Sequence, residues 1–151
     1  MNKKAFTIIE ILVVITIIGI LFGVAALSYS SITKSSRDAR RKTDLEQMRA
    51  ALEMWRSSEA TAMGQYPTFP EDNCDNLGTI LNFSDYLPLI PTDPKLSSGV
   101  VYKCESVPSG YTLYSTLEAV DSGTTCGGST DCGTSSPCEY AVGPYGKTCG
   151  P

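Results

Sequence analysis

Histidine is absent from this sequence of 151 residues. Its absence excludes Ser-His-Asp and Cys-His catalysis and HExxH metal sites, and it removes the usual general base near pH 7. Basic residues are scarce in residues 57–151, which hold 3 Lys against 11 Asp+Glu. The formal net charge is −4, and this acidity argues against nucleic acid as a partner. We therefore expect no enzyme activity, no cofactor and no metal site.

Charged residues are also nearly absent from an apolar run over residues 5–27. Lys3 and Lys4 precede this run, and its one carboxylate is Glu10. As a helix, these 23 residues span about 35 Å, enough to cross the hydrocarbon core of a bilayer. The apolar stretch of an ordinary secretory signal is shorter, at about 7–15 residues. We therefore predict a membrane-spanning helix, in which an ionisable residue such as Glu10 is usually functional.

The residues around Glu10 carry a resemblance to a known family. The stretch KKAFTIIEILVVI, residues 3–15, resembles the N-terminal signature of type IV pilins and type II secretion pseudopilins. In that family, prepilin peptidase removes a basic leader and methylates the new N-terminal amine. The resemblance therefore implies cleavage between Ala5 and Phe6 and methylation of Phe6, although the family usually has Gly where this chain has Ala5. Glu10 then takes the fifth mature position, where the family pairs it with the Phe6 amine of a neighbouring subunit.

The resemblance also implies the partners and the location of the protein. Such subunits sit in the inner membrane with a cytoplasmic N-terminus, and then polymerise with copies of themselves or related subunits into an extracellular pilus. Their other partners are prepilin peptidase and the inner-membrane assembly platform with its ATPase. Gly19 and Gly23 form a G-x-x-x-G step, which permits close helix crossing. A type II secretion pseudopilin is the alternative, and the lack of a D-x-[DN]-x-[DN]-G calcium loop favours the pilus.

Beyond Ser36 the sequence becomes amphipathic, and no strong helix breaker occurs before Met63. We predict one helix over residues 6–60, followed by a stop at residues 64–67. Four apolar residues recur on one helical face: Leu45, Met48, Leu52 and Trp55. Opposite charges stand four residues apart in the pairs Asp38/Lys42, Arg40/Asp44, Lys42/Glu46 and Arg49/Glu53. We accordingly interpret the basic cluster Arg37, Arg40, Arg41 and Lys42 as a solvated, self-paired face.

All six cysteines lie in the acidic part of the chain: Cys74, Cys104, Cys126, Cys132, Cys138 and Cys149. An even number in a polar, Gly/Ser/Thr-rich segment predicts a disulfide framework and an oxidising compartment. A zinc site is the alternative, but the spacing contains no C-x2-C pair. Six cysteines allow 15 pairings, and the sequence does not select one.

Strand signals follow a turn-rich region that includes a predicted short helix near residues 75–82. Residues 100–105 and 111–118 are rich in Val, Tyr and Thr, a hairpin connection joins them, and residues 139–142 form a third candidate strand. The fold class is therefore α+β, with a long N-terminal helix whose second half packs on a small antiparallel sheet. We divide the chain into a leader (1–5), a membrane or filament-core helix (6–30), an amphipathic half (31–62) and a disulfide-bonded head (63–151).

Two alternatives of other classes remain open at this stage. A secreted disulfide-rich binding module would arise if an ordinary signal peptidase cut after Ala26, within a small-residue sequence. Glu10 and the continuation of the helix beyond residue 30 argue against it. A membrane-tethered enzyme would need paired carboxylates or a reactive cysteine, and no such arrangement is visible in the sequence.

Overall fold

The architecture comes from a computed structural model of the chain. It describes residues 6–69, 73–80, 83–107, 110–119, 125–126, 131–133 and 137–151. The predicted leader, residues 1–5, lies outside the described residues.

A single helix, α1, spans Ile8–Ser58 and contains 51 residues, or about 75 Å at 1.5 Å per residue. No proline or other strong breaker interrupts this stretch. The helix ends at Glu59, which has extended dihedral angles, and a 3-10 turn follows at Ala60–Ala62. Gly64 then takes a left-handed conformation with φ 76°, which glycine adopts without strain. The prediction of one long helix is confirmed, with two residues fewer at each end.

The two halves of α1 differ in what surrounds them. Every described side chain of residues 6–32 is exposed, and the first buried one along the helix is Asp38. The predicted apolar stripe of the second half is confirmed, because its four side chains are between 0% and 7% exposed. The first half of α1 therefore projects as an uncovered apolar rod, and only the second half belongs to the head.

Four antiparallel strands form one sheet in the order β1-β2-β3-β4. They are β1 Lys103–Val107, β2 Gly110–Ser115, β3 Tyr140–Gly143 and β4 Gly146–Cys149. The first three were predicted, with shifted ends. The fourth was missed, because its sequence, Gly-Lys-Thr-Cys, has little strand propensity by itself. The short helix predicted near residues 75–82 is a 3-10 helix at Cys74–Thr79.

The sheet is covered on both faces. On one face, Tyr111, Leu113 and Val142 pack with the stripe of α1 in the main core. On the other face, Tyr114 and Ala141, which are partners across β2 and β3, pack with a cluster of disulfides. The alternation of side chains along a strand therefore assigns one face to the helix and the Cys74–Cys104 bond, and the other face to the two remaining disulfides.

All six cysteines are paired, which confirms the predicted disulfide framework. The bonds are Cys74–Cys104, Cys126–Cys149 and Cys132–Cys138. The first joins the 3-10 helix at Cys74–Thr79 to β1, and the second joins the segment between β2 and β3 to β4. Beside the third bond, Gly133 lies close to the backbone of Gly99, before β1. Only a glycine permits this approach, because a Cβ at this position would lie 1.9 Å from the carbonyl oxygen of Gly99.

We expect the disulfides to contribute unequally to stability. Cys74–Cys104 spans 30 residues and Cys132–Cys138 spans 6. Because the longer loop restricts the unfolded chain more, removing the first bond with a Cys74→Ala/Cys104→Ala variant should lower the free energy of unfolding by about 3–4 kcal/mol, against about 2 kcal/mol for Cys132→Ala/Cys138→Ala. Denaturant unfolding of the full chain in detergent micelles measures both. Equal losses, or the reverse order, would contradict the expectation.

Candidate functional site

The N-terminal end of α1 is closed by a capping box. Thr7 is the N-cap, and its hydroxyl accepts a hydrogen bond from the Glu10 N–H at 3.3 Å. In return, Oε2 of Glu10 accepts hydrogen bonds from the N–H and the hydroxyl of Thr7, both at 2.8 Å. The first N–H groups of a helix have no partner within the helix, so this exchange satisfies two polar groups that lipid cannot satisfy.

The capping role of Thr7 was not predicted from the sequence. The signal was present, because Thr7 and Glu10 have the T-x-x-E spacing of a capping box. The contacts from Thr7 to the Glu10 carboxylate both go to Oε2. Among the described residues no group donates to Oε1 of Glu10, which keeps free acceptor positions.

The surface around Glu10 is otherwise apolar. Glu10 borders a groove of about 550 Å³, together with Phe6, Ile9 and Val13. Phe6 is 81% exposed and Ile8 is 88% exposed. Of the helices within the described ranges, α1 alone is long and apolar enough to cross a membrane.

The G-x-x-x-G motif leaves a notch in the surface of the exposed apolar half of α1. Gly19 and Gly23 lie four residues apart on one face of α1, and a Cβ added to either would meet nothing within 4 Å. Neither glycine therefore serves a contact within the described part of its own chain. Both remain available for the close approach of another helix.

At the other end of the rod, α1 enters the head through a buried charge cluster. Arg41 has no exposed surface. Its guanidinium donates to Asp93 through Nε at 2.7 Å, to Asp38 through Nη1 at 2.7 Å, and lies 2.9 Å from Glu118 through Nη2. Arg37 also donates to Glu118, at 2.8 Å from Nε. The interpretation of these arginines as a solvated, self-paired face is therefore wrong.

Most of the pairs predicted at four-residue spacing are replaced by other contacts, either three residues apart along α1 or with residues distant in the sequence. Asp38 binds Arg41 rather than Lys42, and it also accepts hydrogen bonds from the backbone N–H groups of Glu118 and Ala119. Lys42 lies 5.2 Å from the centre of the Tyr140 ring. Arg49 pairs with Glu46 instead of Glu53, and Glu53 accepts hydrogen bonds from Tyr66 and Tyr111. The predicted pair of Arg40 with Asp44 is confirmed, at 3.7 Å.

The cluster is balanced in charge. Three cations, Arg37, Arg41 and Lys95, meet three carboxylates, Asp38, Asp93 and Glu118. The hydrogen bond from Arg37, followed by those from Lys95 and Arg41, holds the pKa of Glu118 well below its usual value. Burial by itself lowers the pKa of Arg41, but the hydrogen bonds to Asp93, Asp38 and Glu118 outweigh it, and the pKa is raised. Arg41 and Glu118 therefore remain charged.

The distal end of the amphipathic half is held by a second polar contact. Oε1 of Glu53 accepts hydrogen bonds from the hydroxyl groups of Tyr66 at 2.9 Å and Tyr111 at 3.1 Å. The two rings meet edge to face, with centres 4.9 Å apart. Burial, followed by the hydrogen bond to Glu53, raises the pKa of Tyr66 to about 12, so the hydroxyl remains a donor at physiological pH.

The architecture is an α+β pilin fold, with a long N-terminal helix, a small antiparallel sheet and three disulfides in the C-terminal region. The comparison with protein families identifies residues 1–26 as a prokaryotic N-terminal methylation motif, the signature of type IV pilins and pseudopilins. This confirms the resemblance for the N-terminal segment, and the match does not extend to the head. Comparison with curated proteins and with solved structures gives no match.

We expect Arg41 to matter far more for folding than its neighbour Arg40. Arg41→Ala leaves Asp38 and Asp93 buried without their cation, which should lower the free energy of unfolding by about 3–5 kcal/mol. Arg40→Ala removes a 3.7 Å pair from a side chain that is 63% exposed, and should cost less than about 1 kcal/mol. Denaturant unfolding of both variants, each as the full chain, compares them. Similar losses would mean that the buried cluster does not hold the head on the helix.

Proposed function

We propose that this protein is a structural subunit of a type IV pilus or a pilus-like filament. It is made as a membrane-anchored prepilin and later polymerised through residues 6–30. The observation that carries this proposal is an entirely exposed apolar rod that bears one carboxylate, at the end where the methylation motif lies. A soluble monomer rarely exposes so large an apolar surface, so the rod requires a cover. The bilayer covers it before assembly, and neighbouring copies cover it in the filament.

Maturation adds a positive charge at the N-terminal end of the rod. Cleavage by prepilin peptidase between Ala5 and Phe6 frees an amine on Phe6, which is then methylated and keeps its positive charge. The division into a leader (1–5), a core helix (6–30), an amphipathic half (31–62) and a head (63–151) follows from this step. The subunit itself performs no catalysis, which belongs to the peptidase and to the ATPase of the inner-membrane assembly platform.

The arrangement of Glu10 supports an intersubunit pair. A carboxylate offers about four acceptor positions. Thr7 uses Oε2, so the cap and a pair between Oε1 and the Phe6 amine of a neighbour can exist together. A carboxylate left without a cation inside an apolar bundle is strongly penalised. Glu10 therefore selects the register in which each subunit meets the amine of the next, while the notch at Gly19 and Gly23 admits a crossing helix.

The orientation follows from redox chemistry. Three disulfides support a head outside the cytoplasm. In the proposed route, the N-terminus therefore stays on the cytoplasmic side of the inner membrane and the assembled head lies on the cell surface. A type II secretion pseudopilin would follow the same route up to assembly. The two differ in whether the filament extends beyond the cell.

The N-terminal mass of the mature protein tests the route. Chains from membrane and sheared-surface fractions should begin at methylated Phe6, and the sheared fraction should contain them if the filament is a surface pilus. Recovery only in the membrane fraction would favour the pseudopilin. A chain that begins at Leu27 would reveal an ordinary signal peptide, and the filament proposal would fail.

The assembly role of Glu10 is tested separately. Glu10→Ala should be inserted and cleaved normally but should reduce filament yield at least tenfold, because the neighbouring amine loses its partner. Thr16→Ala is the matched control, since the Thr16 hydroxyl bonds only the Val13 carbonyl of its own helix, at 2.7 Å. Quantification of sheared filaments, with mass spectrometry to verify cleavage, gives the result. Wild-type yield from correctly cleaved Glu10→Ala subunits would remove Glu10 from the mechanism.

A further inference from the structure

A polar cleft of about 350 Å³ opens at the end of α1 that is farthest from the apolar rod. Arg56, in the last turn of α1, lies about 40 Å along the helix from residue 30. The cleft is therefore remote from every surface that assembly of the rod uses. Its walls come from the end of α1, the chain that follows it, the β1–β2 hairpin and the β3–β4 turn. Its lining includes Arg56, Gln65, Tyr66, Thr68, Ser106 and Tyr145.

Arg56 is incompletely satisfied. Its guanidinium lies over the Tyr66 ring, 4.6 Å from the ring centre. Nη2 is 3.6 Å from Oε2 of Glu53, which is an ionic contact but too long for a hydrogen bond. Nε is buried and has no hydrogen-bond partner among the described residues. A buried donor without a partner is uncommon in native proteins and calls for an explanation.

Glu53 makes only the 3.6 Å ionic contact with Arg56, while its oxygens accept hydrogen bonds from Tyr66 and Tyr111. The Tyr66 wall is also fixed in place. A Cβ on Gly110 would lie 3.0 Å from Cε2 of Tyr66 and 2.8 Å from Cγ of Pro144. The guanidinium therefore keeps hydrogen-bonding capacity beyond its ionic contact with Glu53, on a closely packed wall. Preformed walls of this kind are typical of small-ligand sites.

The cleft lining also includes an exposed aromatic side chain. Tyr145 sits in the β3–β4 turn and is 95% exposed, the largest exposed fraction among the described large hydrophobic residues. The remaining lining is mostly polar, with Gln65, Thr68 and Ser106 among its side chains. The cleft therefore presents a guanidinium, an aromatic ring and several polar side chains. A ligand that suits these three features carries a carboxylate, several hydroxyl groups and a ring with a flat C–H face.

We propose that this cleft binds an acidic saccharide residue, a uronic or a sialic acid. Arg56 receives the carboxylate, Tyr145 stacks on the sugar ring, and the polar side chains contact the hydroxyl groups. An acidic peptide suits the cleft less well, because its carboxylate would come with apolar groups that find little apolar lining. The site is independent of the filament proposal, since none of its residues lies in the rod.

The test uses the full chain in detergent micelles, with glucuronate and N-acetylneuraminate as probes and glucose as the neutral comparison. Titration followed by calorimetry and by saturation-transfer NMR should show binding of at least one acidic sugar and none of glucose. Arg56→Gln should weaken this binding at least tenfold. Tyr145→Ala should weaken it severalfold without any risk to folding, because its side chain is almost fully exposed.

Arg49→Gln is the matched control, because it removes an arginine of the same helix whose partner is Glu46 and which does not line the cleft. It should bind as the wild type does, and circular dichroism should show that all variants are folded. Three results would overturn the proposal: no binding of either acidic sugar, equal binding by Arg56→Gln, or tighter binding of an acetylated Asp-Glu dipeptide than of both sugars.

Discussion

Arg41 lies at the point where a bare helix becomes part of a folded head, and the rest of the head is arranged around it. Its guanidinium reaches three carboxylates, from α1 itself, from the loop before β1 and from the chain after β2. An arginine suits this position, since its planar fork offers five donors in fixed directions. Each ion loses its hydration, so the gain is modest when the cluster is complete and the loss is large when one member is missing. The cluster therefore acts mainly as a constraint on register, because any shift of the helix against the two loops would separate buried charges.

The remaining contacts extend this register along the head. Arg41 fixes the proximal end of the amphipathic half, and Glu53 fixes the distal end through Tyr66 and Tyr111. Leu45, Met48 and Leu52 lie between these two points, completely buried against the sheet. Within the described ranges no second helix packs on the far face of the sheet, where two disulfides pack instead. The Cys126–Cys149 bond thereby ties a Gly/Ser/Thr-rich segment, which could not form an apolar core by itself, to β4.

Elements with a periodic sequence pattern could be predicted, whereas contacts between residues far apart in the sequence could not. The stripe from Leu45 to Trp55 and the unbroken run of helix formers predict α1, because both signals are local. The contacts of Arg41 with Asp93, 52 residues away, and of Arg37 with Glu118, 81 residues away, leave no local signal. Pairs four residues apart on an exposed helix gain only about 0.2–0.5 kcal/mol each, so buried partners displaced most of them. Strand β4 was missed for a similar reason, since its position depends on the Cys126–Cys149 bond and on pairing with β3.

The continuity of α1 links these constraints to assembly. Since no breaker separates the two halves, the apolar half cannot fold back onto the head, and its cover must come from outside the chain. In the proposed route, a bilayer and a bundle of neighbouring rods both provide that cover. Their apolar environments are similar, so transfer from one to the other changes the free energy of the Ile, Leu and Val side chains little. The polar groups at the end of the rod then decide between the two states. Thr7 satisfies one oxygen of Glu10 in either environment, whereas the second oxygen gains a cation only from a correctly placed neighbour. A single carboxylate can thus make polymerisation depend on register, although the surface that is buried is almost entirely apolar.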